Sequence, residues 1–189
     1  MQDIIRGHIE KNIETKRKIL DTLLPDIEKA ARILIEAIKN GRKVLFFGNG
    51  GSAADAQHLA AEFVGRYERE RRALPSIALT TDTSILTAVA NDYSYDNVFK
   101  RQIEALGQAG DVAVGITTSG NSKSVILAIE QAKANGMKTV AFLGRDGGKM
   151  RGKADVDIIV PSEVTSRIQE SHAMIGHILC DLVDRTLFP

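Results

Sequence analysis

At 189 residues, 43% hydrophobic and 26% charged, with 16 Gly and 4 Pro, the chain has room for one globular domain with additions but not for two. Its single cysteine, Cys180, excludes an internal disulfide framework and zinc sites built on paired CxxC motifs, and fits a reducing compartment. Lys+Arg 25 against Asp+Glu 24 leaves a formal charge of +1, so no net excess points to nucleic acid.

Charges interrupt the amino terminus every few residues, which leaves no apolar signal-peptide core, and no run approaches the roughly 20 apolar residues of a membrane span. A cytoplasmic protein with no membrane partner is expected. From Asp3 to Leu24, Ile5, Ile9, Ile13, Leu20 and Leu24 recur at near-helical spacing among Arg, Lys and Glu, predicting an amphipathic helix. A second helix follows, with Pro25 suited to its first position. Ile27, Ala30, Ala31, Leu34, Ile35 and Ile38 form its apolar stripe, and Asn40-Gly41 stops it. A helical pair standing ahead of any strand has to cover its stripe, and another subunit is the expected cover for part of it, giving a homo-oligomer.

After Gly41 the pattern becomes short apolar runs separated by helical segments, as in a parallel sheet buried on both faces. The predicted strands are Val44–Phe47, Ile77–Leu79, Val112–Ile116, Val140–Leu143 and Ile158–Val160. Between and after them come predicted helices over Ala53–Tyr67, Thr83–Ala90, Asp96–Leu106, Lys123–Asn135 and Thr165–Leu187. The expected architecture is a doubly wound α/β domain on a five-stranded parallel sheet over 41–189, with an N-terminal helical hairpin over 1–40. In such sheets ligands bind beyond the carboxyl ends of the strands, so the loops there should hold the function.

The first strand runs into Gly48-Asn49-Gly50-Gly51-Ser52-Ala53, where three glycines let the backbone approach a ligand before a helix begins, and Ser52 is placed to cap it. GNGGSA also satisfies the dinucleotide pattern G-x-G-x-x-A. That reading needs an acidic residue about 20 positions on to hold a ribose hydroxyl. The acidic residues at that distance, Glu68 and Glu70, fall inside the charged run Arg66–Arg72, expected as a solvated connection, and the dinucleotide reading fails. A second loop, Thr117-Thr118-Ser119-Gly120-Asn121-Ser122, follows the third strand. Four hydroxyls and backbone amides at a helix N-terminus suit a dianionic phosphate. The nucleoside-triphosphate pattern GxxxxGK[ST] is absent, because Gly147-Gly148-Lys149 is followed by Met150.

His58 and Glu62 lie four residues apart on one helix face near the mouth of the first loop. Gln169 and His177, on the last predicted helix, are eight residues apart, about 80° around its axis and within one broad stripe. Carboxylate and imidazole beside a phosphate cradle suit proton abstraction next to a sugar carbonyl: one group removes the carbon-bound proton and the other protonates the enediolate oxygen, a division of labour seen in triosephosphate isomerase. The same four side chains could bind a divalent metal such as zinc, which would polarise the carbonyl and compete with proton transfer for Glu62 and His177.

At these residues the chain resembles the sugar isomerase (SIS) family and, within it, the phosphoheptose isomerases of bacterial heptose biosynthesis. The likeness runs through five blocks in order: GNGGSAADAQH, AND, TSGNS, GRDGGKM and RIQESH. The resemblance implies conversion of sedoheptulose 7-phosphate to D-glycero-D-manno-heptose 7-phosphate by a homotetramer with active sites at subunit interfaces. It places the catalytic glutamate on Glu62 and the catalytic histidine on His177. Substrate contacts fall on Asn49, Gly50, Gly51, Asn91, Asp92, Thr117, Thr118, Ser119, Ser122 and Gln169, with Ser52 in the same loop; Thr117 stands where the family commonly has Ser. The family's zinc positions, where zinc is present, fall on His58, Glu62, Gln169 and His177. The block Ala56-Gln57-His58 and the stretch Cys180–Pro189 also resemble a sister protein that binds the replication initiator DnaA and lacks the acid and base pair. Since this chain has both Glu62 and His177, the enzyme is the expected reading and the DnaA-binding adaptor its alternative.

Overall fold

Alternation of side chains across the strands decides how the layers form. In the computed structural model, which describes residues 1–189, five parallel strands lie in the order β2-β1-β3-β4-β5. They are β1 (Val44–Gly48), β2 (Ser76–Ala78), β3 (Val112–Thr117), β4 (Lys138–Gly144) and β5 (Val156–Val160). β1 and β3 are buried at every position, as strands covered on both faces must be.

Val44, Phe46, Val112, Val114, Ile116, Val140 and Phe142 point to one face, where they meet α2 (Leu24–Lys39), α3 (Gly51–Val64) and α7 (Thr165–Leu187). Leu45, Phe47, Ala113, Ala141 and Leu143 point to the other, against α5 (Val98–Leu106) and α6 (Lys123–Ala134). Phe47 and Phe142, one on each side, are fully buried; truncating either to Ala would cost about 3–5 kcal/mol. The chain leaves β1 toward β2 on one side and toward β3 on the other. The sheet therefore reverses its winding between β1 and β3, and a crevice opens between the loops that follow them.

Two helices lie at the margin of this sandwich. α1 (Gln2–Thr22) buries only Thr15 and Ile19, leaving Ile4, Ile5, Ile9, Ile13 and Leu20 between 45% and 68% exposed. α4 (Thr83–Asp92), started by Asp82 accepting the Ile85 amide at 2.9 Å, rests Leu86, Val89 and Ala90 against the α5/α6 side but fully buries no residue.

Several boundaries differ from the sequence reading. α3 begins at Gly51, with Gly50 and not Ser52 as its N-cap, because Gly50 takes φ 57 and turns the chain before the helix starts. It stops at Val64 rather than Tyr67, and a single-turn 3-10 helix (Tyr95–Asn97) precedes α5. β4 starts two residues ahead of its apolar run, since Thr139 is buried with its amide and hydroxyl both donating to Asp155, at 2.8 and 2.9 Å. The run 66–72 is solvated at Arg66, Glu68, Glu70 and Arg72, but the Arg71 side chain is only 2% exposed. It turns inward because the carbonyls at the C-terminus of α3 lack helical partners, and its guanidinium supplies donors for them.

Candidate active site

The crevice is walled by glycine. A Cβ on Gly48 would lie within 2.9 Å of the Ile116 carbonyl and of Ser52, so only glycine lets the start of α3 press against β3. Gly50 and Gly51 keep the next turn low, and the amide of Gln169 from α7 lies directly over Gly51. Ser52 is 4% exposed inside the first turn of α3, its amide bonded to the Asn49 carbonyl at 3.0 Å. The Asn49 side chain reaches across to the first turn of α6, just past the second loop, donating to Ser124 Oγ at 3.0 Å and accepting from Tyr95 Oη at 2.8 Å.

In the second loop, Thr117 Oγ1 and Ser122 Oγ pair at 3.1 Å, and the Asn121 amide donates to Ser119 Oγ at 3.2 Å. Ser122 stands at the N-cap of α6 but spends its hydroxyl on Thr117 and makes no capping bond. Thr118 and Ser119 are half-buried between them. The turn from the GRDGGKM block braces this loop from outside. Met150 N donates to the Gly120 carbonyl at 2.9 Å and Lys149 N to Asn121 Oδ1 at 3.1 Å. Hence the loops after β1 and β3 are tied together, with the N-termini of α3 and α6 facing one crevice and favouring negative charge there.

At the far end of the crevice α3 and α7 meet. His58 Nε2 lies 2.8 Å from His177 Nε2 and 3.5 Å from Glu62 Oε1. One donor atom from each of His58, Glu62 and His177 falls within 4.8 Å of the others. Two imidazole nitrogens and a carboxylate converging at that spacing form a donor set that suits zinc, with the amide of Gln169 two turns earlier on α7. His58 is half exposed and Glu62 largely covered, so the cluster is open on one side. The rings of Tyr67 and His177 lie 5.6 Å apart and 30° from parallel.

Asn91 and Asp92 stand apart from this cluster. Both are exposed at the end of α4, bonded to each other at 2.8 Å, with no side-chain hydrogen bond to either loop. Neither Tyr67 nor Tyr95 was singled out by the sequence reading; only the aromatic pair in Asp92-Tyr93-Ser94-Tyr95 could have flagged the second.

Two groups beside the cluster, Asp55 half-buried and Cys180 buried, have their acidities moved. The Asp55 carboxyl, one turn before His58, is raised above the usual carboxylate range by burial, against the opposing pull of His58, and its Oδ2 has no partner. The Cys180 thiol is pushed up to about 12, first by burial and then by the carboxylates of Glu62 and Asp184. It stays protonated and is no nucleophile.

Comparisons with known proteins place the chain in a family. The model of the SIS domain matches residues 8–144. A phosphoheptose isomerase of Leptospira biflexa is 54% identical over 187 residues, covering 98% of this chain and 96% of that protein. Among solved structures, the phosphoheptose isomerase of Neisseria gonorrhoeae matches with a TM-score of 0.91 at 44% identity, covering 97% of this chain and 98% of the other. That of Francisella tularensis reaches 0.94 at 38% identity with the same coverage. With sequence, full-length coverage and fold in agreement, the chain belongs to the phosphoheptose isomerase family of SIS-domain proteins.

Proposed function

We propose that this chain converts sedoheptulose 7-phosphate to D-glycero-D-manno-heptose 7-phosphate through an enediolate, with Glu62 as base and His177 as acid. The observation that carries the assignment is the meeting of a carboxylate from α3 and an imidazole from α7 at the end of a crevice lined by two anion-favouring loops. The phosphate is assigned to Thr117, Thr118, Ser119 and Ser122 with the first turn of α6. The sugar hydroxyls are assigned to Asn49, Gly50, Gly51, Ser52 and Gln169, and to Asn91 and Asp92 where the extended substrate reaches α4.

Glu62 removes the C1 proton of the ketose while His177 gives a proton to O2, so that the single negative charge of the enediolate is neutralised as it develops. The proton held by Glu62 is then returned to C2 while the proton of O1 passes to His177, leaving the aldose and regenerating both groups. His58, Glu62, Gln169 and His177 are the residues that would hold zinc, and the metal would supply polarisation of the sugar oxygens. Direct ligation of Glu62 and His177 would reduce their availability as proton carriers, so the two uses compete.

The helical pair 1–40 is proposed as the oligomerisation element of a homotetramer with active sites at subunit interfaces, supported by the apolar face that α1 leaves uncovered. A cytoplasmic location suits a phosphosugar substrate and an unpaired cysteine. No helix is long and apolar enough to cross a membrane. The test is incubation of the purified protein with sedoheptulose 7-phosphate, following aldose by chromatography. Aldose formation is expected; its absence, with DnaA captured instead, would move the reading to the adaptor.

A further inference from the structure

Arg71 lies outside the proposed catalytic pair, yet it joins the two helices that carry it. Its Nε donates to Asp184 Oδ1 at 2.9 Å, and both side chains are 2% exposed. Asp184 sits on α7 seven residues, two helical turns, beyond His177. On its other edge the same guanidinium closes the end of α3. Nη2 donates to the carbonyl of Glu62 itself at 2.7 Å, and Nη1 is shared among the carbonyls of Phe63, Gly65 and Arg72 at 2.8, 3.1 and 3.1 Å. One planar group thus spans from the backbone of the proposed base to the helix of the proposed acid.

Stability alone is a poor reason for this arrangement. Taking a guanidinium and a carboxylate out of water costs several kcal/mol per ion, and well-packed apolar residues of similar volume often serve a fold equally well. The arrangement supplies geometry instead. A rigid fork with donors at fixed angles holds two helices at one separation, which a flexible ammonium would not. Proton transfer is sensitive to such separations, since a misplacement of about 1 Å can cost about a hundredfold in rate.

We propose that Arg71 is a positioning residue that, with Asp184, sets the spacing of α3 and α7 and so holds Glu62 and His177 in register for proton transfer. The proposal rests on the isomerase reading for its effect on rate, but not for its effect on geometry, and the two are measured separately. The variants are Arg71→Lys and the double replacement Arg71→Met with Asp184→Leu, which removes both charges together. For each, the melting temperature, kcat and KM for sedoheptulose 7-phosphate are measured, and a crystal structure of the double variant is compared with that of the parent.

The double variant is expected to melt within a few degrees of the parent, yet to lose at least about tenfold in kcat with KM within about threefold. In its crystal the donor atoms of Glu62 and His177 should stand about 1 Å further apart. The lysine variant, which keeps the charge opposite Asp184 but not the fork, should lose kcat in the same way; it carries the kinetic test alone if the double variant does not fold. Parent-like kcat in a variant that melts like the parent would overturn the proposal, as would a loss confined to KM or an unchanged separation of the two side chains. If the parent itself forms no aldose, the isomerase reading falls while the crystallographic comparison still decides whether the clamp exists.

Discussion

Glu62 and His177 come from helices that share no local sequence, and each is replaceable by a near-isostere that cannot move a proton. Glu62→Gln and His177→Asn should each lower kcat by at least about a hundredfold with little change in melting temperature, measured on purified variants with sedoheptulose 7-phosphate. Full activity in either would remove that residue from the mechanism. A third titratable residue acts on the fold instead. His172 is fully buried, its Nε2 donating to the Leu143 carbonyl at 2.9 Å and its Nδ1 without a partner. Burial, only partly opposed by that bond, lowers its pKa to about 4 from 6.5. Between those values the unfolded chain takes up a proton that the folded chain refuses, so stability is whole above pH 6.5 and falls as pH drops toward 4, by up to about 3 kcal/mol. Urea midpoints at pH 7, 6 and 5 should fall accordingly, and His172→Gln, whose amide can still donate to Leu143, should fall less steeply. Equal slopes would mean that another group carries the acid response. His172 also shows what residue types alone conceal. The RIQESH block puts Gln169 and His172 three positions apart, and only packing decides that one lies over Gly51 while the other is sealed against Phe142.

At the scale of elements, the two loops and the turn that braces them behave as one unit. Gly120 has φ 65, and a Cβ there would run into the carbonyl of Gly147, which itself takes φ 88. Gly120→Ala therefore forces the 117–122 loop and the 147–150 turn apart, at a cost of about 1–3 kcal/mol in strain alone. Gly50→Ala, in open space at φ 57, bears the backbone penalty without the collision. Calorimetry should show the larger loss of melting temperature for Gly120→Ala, together with a raised KM; an equal loss at both positions would deny that the 147–150 turn braces the 117–122 loop. The elements themselves were largely legible. Central strands announce themselves as unbroken apolar runs because both of their faces are covered, and the helices between them by periodicity. Legibility failed where polar residues serve the fold. Thr139 extends β4 through its bonds to Asp155, and Arg71 sits in a run whose composition says solvent but whose side chain answers the unpaired carbonyls of α3. Tyr95, bonded to Asn49 across the crevice, escaped because two tyrosines ahead of a predicted helix carry no spacing that points to a distant loop.

For the whole molecule, the question is what covers α1. Its apolar residues do form a stripe, but within one chain the helix rests mainly on α7. Arg167 donates to the His8 carbonyl at 2.7 Å and Asn12 bonds to Glu170, while Ile5, Ile9 and Ile13 line an open groove on the other side. Burying an exposed isoleucine is worth about 1.5–3 kcal/mol, and symmetry counts each residue in every subunit. If the proposed assembly forms through this stripe, a charge at its centre should dissociate it without unfolding the chain, since Ile9 lies outside the core. Ile9→Glu is expected to reduce the mass found by light scattering from that of the proposed tetramer while leaving far-ultraviolet circular dichroism unchanged. Because the α7 residues that hold α1 flank Gln169, loss of the assembly should also lower turnover. A variant with parent mass would place the interface elsewhere. One with reduced mass and full activity would show that each subunit's site is complete on its own, and would remove the interface from the mechanism while leaving Glu62 and His177 in it.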